Sequence, residues 1–314
     1  MQELELTTAK MAAEGWAIAR HNRFVYFVEG ALPGEKVLAT PSRRKRNHAF
    51  ARVTQVLVPS PQRITPPCPM FGTCGGCAFQ QMDYSAQVSM KREVLLESLH
   101  GVPGAAENTA PVITADSPFY FRNKMGYAFG LQDGFPVLGL HRRGDWRSVV
   151  PAEACLLQSK ASNEILTRTL DFVRQNNIPV YDDRNDSGCV RHLVIREGKH
   201  TGERMVHLHA VEAHPAFDDL PRLLDNLATT VLVSVHRNVP EDAPAESTRV
   251  LSGPGLIREQ LNGFVFEIGP ATFFQTNTLQ AEKLFAKIMD WVGDAKVQNA
   301  VDLYAGTGPI AIHL

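Results

Sequence analysis

The sequence predicts an α+β multidomain protein. It has a small N-terminal β-barrel, a central and mostly antiparallel β domain with a four-cysteine metal site, and the start of a wound α/β domain. Three observations predict it. Residues 1–60 break into short apolar runs punctuated by Gly, Pro and basic residues, the rhythm of a small barrel. Residues from about 116 to 270 read mostly as alternating strands. Residues 277–293 repeat with the 3.6-residue helical period and run into NAVDLYAGTGPIAIHL, a strand, a glycine turn and a helix start.

The elements follow in order. Strands are expected at Gly15–Ala19, Phe24–Val28, Lys36–Thr40 and Ala51–Val58. Pro59, Pro61, Pro66 and Pro67 make a linker. The segment 83–100 reads as a helix, with Asp83 or Ser85 as its cap and Val88, Leu95, Leu96 and Leu99 on its apolar face. LQDGFPVLGL, residues 131–140, carries an Asp-Gly hairpin turn. A helix at 160–175 interrupts the strands, and RMVHLHAVE at 204–212 resumes them. The helix at 277–293 shows Leu284, Phe285, Ile288, Trp291 and Val292 on one face and Gly293 as its stop.

The 314 residues carry a net charge of −1, 44% hydrophobic and 21% charged, enough apolar material for real cores. The charge is uneven: residues 1–60 hold nine Lys/Arg against five Asp/Glu, whereas 213–250 hold three against six. A basic front end suits an anionic partner. No secretory signal and no apolar run of about 18 residues is visible, so a cytoplasmic protein without a membrane span is expected.

Three of the five cysteines lie in CPMFGTCGGC, with spacing C-x5-C-x2-C over Cys68, Cys74 and Cys77; Cys155 follows after 77 intervening residues. In a reducing compartment such clusters are metal ligands more often than disulfides. Four thiolates suit tetrahedral zinc or an iron–sulfur cluster, and spacing alone does not separate them. Gly75 and Gly76 let the backbone wrap a metal core and turn N–H groups toward its sulfurs. Cys189 stands in an apolar run and reads as a small core residue.

The turn at Gly306 and Gly308 lets a ligand approach the backbone closely. Together with Ala311 it formally satisfies G-x-G-x-x-A. A dinucleotide and S-adenosylmethionine both use such a turn.

Taken together, C-x5-C-x2-C with GGC, the distant Cys155, ATFFQTN before a helix and DLYAGTG after it resemble the RNA uracil-5-methyltransferases. The likeness is greatest to the class that makes 5-methyluridine in 23S ribosomal RNA. The resemblance implies a TRAM, OB-like barrel at 1–60 that binds RNA. It implies a central β domain at 61–272 holding a 4Fe–4S cluster on Cys68, Cys74, Cys77 and Cys155. It also implies the beginning of a Rossmann-like methyltransferase domain at 273–314, on which the helix at 83–100 packs. Gln275 and Tyr304, with Gly306 and Gly308, are implied to bind S-adenosylmethionine. Pro309 stands where close relatives often have Asn. In the family a cysteine adds to uracil C6, C5 takes the methyl group, and a glutamate removes the C5 proton. Both residues lie well after the glycine turn. The chain is therefore expected to be C-terminally truncated, with no catalytic residue of its own and no activity as a fragment.

The expected partner is RNA, ribosomal rather than transfer RNA, bound by a monomer. Arg43, Arg44, Lys45 and Arg46 form the densest charge run. Its plain meaning is a solvated turn; in a basic barrel it suits phosphates. Arg122 and Lys124 interleave with Tyr120, Phe121 and Tyr127, which suits RNA or an ordinary amphipathic strand equally. By resemblance Phe273 lies near the target base. Two other readings stand beside the enzyme: a non-catalytic RNA-binding module with a structural metal site, and an NAD-linked iron–sulfur oxidoreductase.

Overall fold

A computed structural model describes residues 2–12, 14–236, 247–295 and 298–314. Residues 237–246, within the acidic stretch noted above, lie outside the described residues. The chain forms two compact units, Met1–Thr114 and Ala115–Leu314.

In the first unit, among the described residues, five strands close a barrel: β1 (Leu4–Met11), β2 (Trp16–His21), β3 (Phe24–Glu29), β4 (Lys36–Arg44) and β5 (His48–Val58). Their order is β1-β2-β3-β5-β4, with β3 and β5 parallel. The interior is narrow, so small residues fill it: Ala17, Ala19, Ala39 and Ala51 pack with Leu6, Met11, Val28 and Val37. The sequence pattern does not predict β1. Its inward positions include Thr8, whose buried hydroxyl donates to the Leu32 carbonyl at 2.5 Å, and a register shift between Thr8 and Lys10 breaks the alternation.

Glu35 ties the linker to the barrel. Its buried carboxylate accepts the N–H groups of Leu32 (2.8 Å) and Ser60 (3.1 Å) and the Arg63 guanidinium (2.5 Å). Burial alone pushes this carboxyl up. The Arg63 bond and the two backbone donors outweigh burial and hold it below its ordinary value.

The helix α1 (Tyr84–Ser98) starts at Asp83, whose side chain accepts the Ser85 N–H at 2.9 Å. It buries Ala86 and Met90 in the barrel core, while Leu95, expected on the buried face, is exposed. A short turn of helix, α2 (Ala105–Asn108), follows.

The second unit is built on a seven-stranded sheet of β6 (Lys124–Gln132), β7 (Phe135–Arg142), β8 (Asp145–Pro151), β9 (Val190–Glu197), β10 (Arg204–Ala210), β11 (Thr230–Val235) and β12 (Ser247–Ser252). Its order among the described residues is β12-β11-β10-β9-β6-β7-β8, antiparallel except for β10 with β11. The β6–β7 turn has Asp133 and Gly134 both at positive φ, as the Asp-Gly hairpin predicts. The helix α3 (Lys160–Gln175), capped by Ser159, buries Ile165, Leu166, Phe172 and Val173. A 3₁₀ turn at Pro215–Asp219 leads into α4 (Leu220–Leu223).

A separate hairpin of β13 (Ile257–Leu261) and β14 (Phe264–Ile268) packs with α5 (Thr278–Ala295) around Phe274 and Phe285. The apolar stripe of α5 is narrower than its sequence suggests. Ala281 and Phe285 are buried and Ile288 packs beside them, but Leu284 and Trp291 face solvent.

The strand expected near 300–304 is absent: the segment forms turns, followed by α6 (Pro309–His313). No strand lies beside it among the described residues to take its N–H and C=O groups, and Val301 and Leu303 are exposed. No described helix is long and apolar enough to cross a membrane.

Candidate functional site

The segment Pro270–Thr278 carries the candidate residues Phe273 and Gln275 without forming a strand or helix of its own, so side chains hold it. The Asn123 N–H donates to the Thr276 carbonyl at 2.9 Å. The Asn123 amide donates to the Gln275 carbonyl at 2.7 Å and to the Thr278 hydroxyl at 2.9 Å. That hydroxyl donates in turn to Glu259 at 2.8 Å. Glu259 is fully buried and also accepts the N–H groups of Lys199 (2.6 Å) and His200 (3.1 Å). Arg196 donates to the Pro270 carbonyl at 2.9 Å. This network belongs to the sheet and the β13–β14 hairpin, and it fixes where Gln275 stands.

The two phenylalanines of the segment separate. Phe274 is buried in the core against Phe266, whereas Phe273 is 70% exposed. Phe273 and Gln275 line a cavity of about 190 Å³, with Asp302, Tyr304, Gly306 and Pro309 opposite. Thus three of the four predicted cofactor residues line one cavity. Gly308, the fourth, is the residue before α6. Tyr304, Gly306 and Gly308 all have positive φ, a backbone that glycine takes at no steric cost and tyrosine does not. The tyrosine ring is fully exposed beside the cavity.

Asp302 lines the same cavity, and its Oδ2 is buried with no hydrogen-bond partner. A buried acceptor left unpaired is costly, so this wall suits a ligand that brings a donor or positive charge. Asp302 was not among the predicted site residues, nor were Asn123, Thr278 and Glu259. Only Asp302, in the quoted DLYAGTG, carried a signal.

The predicted cations occupy two places. Arg43 and Arg44 end β4, and Lys45 and Arg46 follow in the turn, all exposed. The Arg43 guanidinium lies 4.6 Å from the Phe50 ring and that of Arg44 lies 4.9 Å from Phe24. The run is therefore a hairpin turn whose first two cations rest on aromatic rings. Arg122 donates its N–H to the Leu157 carbonyl at 2.9 Å and bridges to Asn277, next to the Gln275 segment. Lys124 opens β6.

Cys68, Cys74, Cys77 and Cys155 are all partly exposed. The thiol donor set suits zinc or an iron–sulfur cluster, and the Gly76 N–H points at Cys74 Sγ, 3.4 Å away. Among the described residues no three His, Cys, Asp or Glu are gathered to hold a metal ion; Cys68, Cys74 and Cys77 belong to the first unit and Cys155 to the second. Cys189 is buried, and burial, followed by the nearby Glu212, pushes its thiol up to about 11. It is a core residue, as its apolar setting predicts, and no cysteine lines the cavity among the described residues.

The class that emerges is a modular α+β protein: a barrel with a cationic, aromatic rim, and a second unit with a small ligand cavity at a glycine turn. No protein-family model matches the chain. It is 31% identical over 317 residues to an uncharacterized RNA methyltransferase of Clostridium tetani, covering 98% of this chain and 70% of that protein. It is 34% identical over 322 residues to an uncharacterized RNA methyltransferase of Gloeobacter violaceus, covering all of this chain and 70% of the relative. Among solved structures it matches the Pyrococcus abyssi tRNA (uracil-54, C5)-methyltransferase in complex with S-adenosyl-L-homocysteine. That match has a TM-score of 0.77 and 26% identity, over 98% of this chain and 69% of the other. The chain belongs to this RNA methyltransferase family.

Proposed function

We propose that the chain serves S-adenosylmethionine-dependent methylation of uridine C5 in RNA. The observation that carries this reading is the cavity that brings Phe273 and Gln275 together with Asp302, Tyr304 and Gly306. When bound, S-adenosylmethionine supplies an electrophilic methyl group. Gln275 and Tyr304 would hold the cofactor, Asp302 would offer it the unpaired acceptor Oδ2, and the bare backbone at Gly306 and Gly308 would let it approach. Phe273, exposed at the rim, stacks on the target base once that base leaves the RNA fold. Covalent addition to uracil C6 is assigned to no described cysteine. Arg43, Arg44, Lys45, Arg46, Arg122 and Lys124 bind phosphates. The likeness to RNA methyltransferases favours this reading over the NAD-linked one.

The proposed substrate is 23S ribosomal RNA, on the likeness of FFQTN and DLYAGTG; the similarity to a tRNA (uracil-54, C5)-methyltransferase favours transfer RNA as a second reading. Deleting the gene from its native host decides between them. Loss of one 5-methyluridine from large-subunit ribosomal RNA is expected. Loss from transfer RNA instead favours the second reading, and unchanged 5-methyluridine in both overturns uridine C5 methylation.

Cys68, Cys74, Cys77 and Cys155 are proposed as 4Fe–4S ligands on their spacing and on the Gly76 contact, with no catalytic step assigned to the metal. Protein purified without oxygen is expected to contain iron and sulfide, to lose them in Cys155→Ser, and to keep them in Cys189→Ser. Colourless, iron-free protein contradicts the cluster.

A further inference from the structure

A second cleft in the same unit plays no part in the site above. It measures about 310 Å³ and lies between β8, the β6 strand from Ala128 to Leu131, and the segment Val180–Arg184 that precedes β9. That volume falls in the range of small-ligand sites.

Three glycines build the cleft. A Cβ on Gly139 would lie 1.9 Å from the Val150 carbonyl oxygen, and one on Gly130 would lie 2.8 Å from the Val149 side chain. Both positions must be bare for Val149 and Val150 of β8 to pack this close. On the far wall, Gly188 at φ +109° would place a Cβ 2.3 Å from the Val180 carbonyl oxygen. Its bareness brings the Val180–Arg184 segment close. Ordinary side chains at these positions close the cleft or push its walls apart.

The lining is cationic and aromatic. The Arg147 guanidinium lies 5.1 Å from the Trp146 ring, and that of Arg191 lies 4.7 Å from Tyr181. Two acids also line the cleft, and both are engaged. Asp182 accepts the Arg184 N–H at 2.9 Å and the Asn185 amide at 3.0 Å, which holds the turn that presents Arg184. Asp183 pairs with Arg191 at 3.2 Å. Arg147 and Arg184 are exposed and, among the described residues, make no ion pair with a carboxylate within 4 Å, although the Arg147 charge acts on the neighbouring Asp145. Trp146 is 61% exposed. Unpaired arginines select phosphate, and an open indole ring beside them selects a planar base.

We infer that this cleft is a second RNA subsite, which takes one unstacked nucleotide with its phosphate on Arg147 and Arg184 and its base on Trp146. The inference rests on the RNA reading above and extends it to a place away from the methyl-donor cavity. β6 connects the two. Asn123, just before the strand, holds Gln275, and the cleft begins at Ala128. At about 3.3 Å per residue the separation along the strand is roughly 15–25 Å, so several nucleotides of one RNA strand span both, passing Lys124.

The test uses the full chain and a fluorescein-labelled 12-nucleotide oligouridylate carrying 4-thiouridine. Arg147→Ala/Arg184→Ala is expected to weaken binding at least tenfold at 0.1 M salt. It should also flatten the dependence of log K on log salt by about 1.4, at about 0.7 per lost single-strand phosphate contact. Arg222→Ala, an exposed cation on α4, should change neither. Illumination of the unmutated protein should cross-link the oligomer to peptides containing Trp146 or Tyr181, and Trp146→Ala should abolish that link. The cross-link needs no variant to fold. RNA binding with an unchanged slope and cross-links only elsewhere overturns the subsite and leaves the RNA reading intact. No binding by the unmutated chain overturns both.

Discussion

Asn123 is the residue on which the cofactor segment depends. One amide reaches the Gln275 carbonyl and the Thr278 hydroxyl, and Thr278 passes the connection to buried Glu259. Removing that amide leaves the Thr278 hydroxyl without its donor and the Gln275 carbonyl without a staple. Asn123→Ala is expected to destabilise the second unit by about 1–3 kcal/mol, the cost of unsatisfied buried groups. Urea unfolding should show a lower midpoint with an unchanged slope. An unchanged midpoint removes Asn123 from the account. None of this was legible in the sequence, because an asparagine before an apolar strand looks like any turn residue. The resemblance placed Phe273 near the target base, but no local pattern says which of the adjacent Phe273 and Phe274 is core; the packing does, with Phe274 buried and Phe273 exposed.

Among the elements, the sheet face that carries His192 on β9 and His207 on β10 has the clearest consequence. Burial, followed by nearby Arg191, lowers His192 to about 4, and burial, followed by Arg196, lowers His207 to about 4. Their ordinary value is about 6.5. Between those limits the unfolded chain binds protons that the folded chain does not. Stability is therefore full above pH 6.5 and falls as pH drops toward 4. The melting temperature should fall across that window, and His207→Gln should shallow the fall. A melting temperature that is flat from pH 6.5 to 4.5 contradicts buried neutral histidines.

Element legibility followed local chemistry. The Asp-Gly hairpin and the helices at 84–98, 160–175 and 278–295 were readable because turn residues, caps and period act over a few residues. The strand β1 was not, because a buried threonine and a bulge replaced its alternation. The strand expected at 300–304 was misread because an apolar run codes for a strand only where a neighbour completes the ladder.

At the scale of the whole molecule, two units divide the work. The barrel unit offers exposed cations on aromatic rings, and the second unit offers a cavity at a glycine turn. The motifs FFQTN and DLYAGTG stand on either side of α5, and no periodicity joins segments that a whole helix separates. Likeness to a family made them legible as parts of one site, and the cavity is lined by both. On the proposed reading this cavity takes the methyl donor. Its direct test is to titrate S-adenosyl-L-homocysteine into the isotope-labelled chain and follow backbone amides by NMR. Signals of Phe273–Gln275 and of Asp302–Gly308 are expected to shift together and saturably, and Tyr304→Ala to weaken the effect. Shifts confined to other parts of the chain, or none at saturating ligand, would contradict that reading.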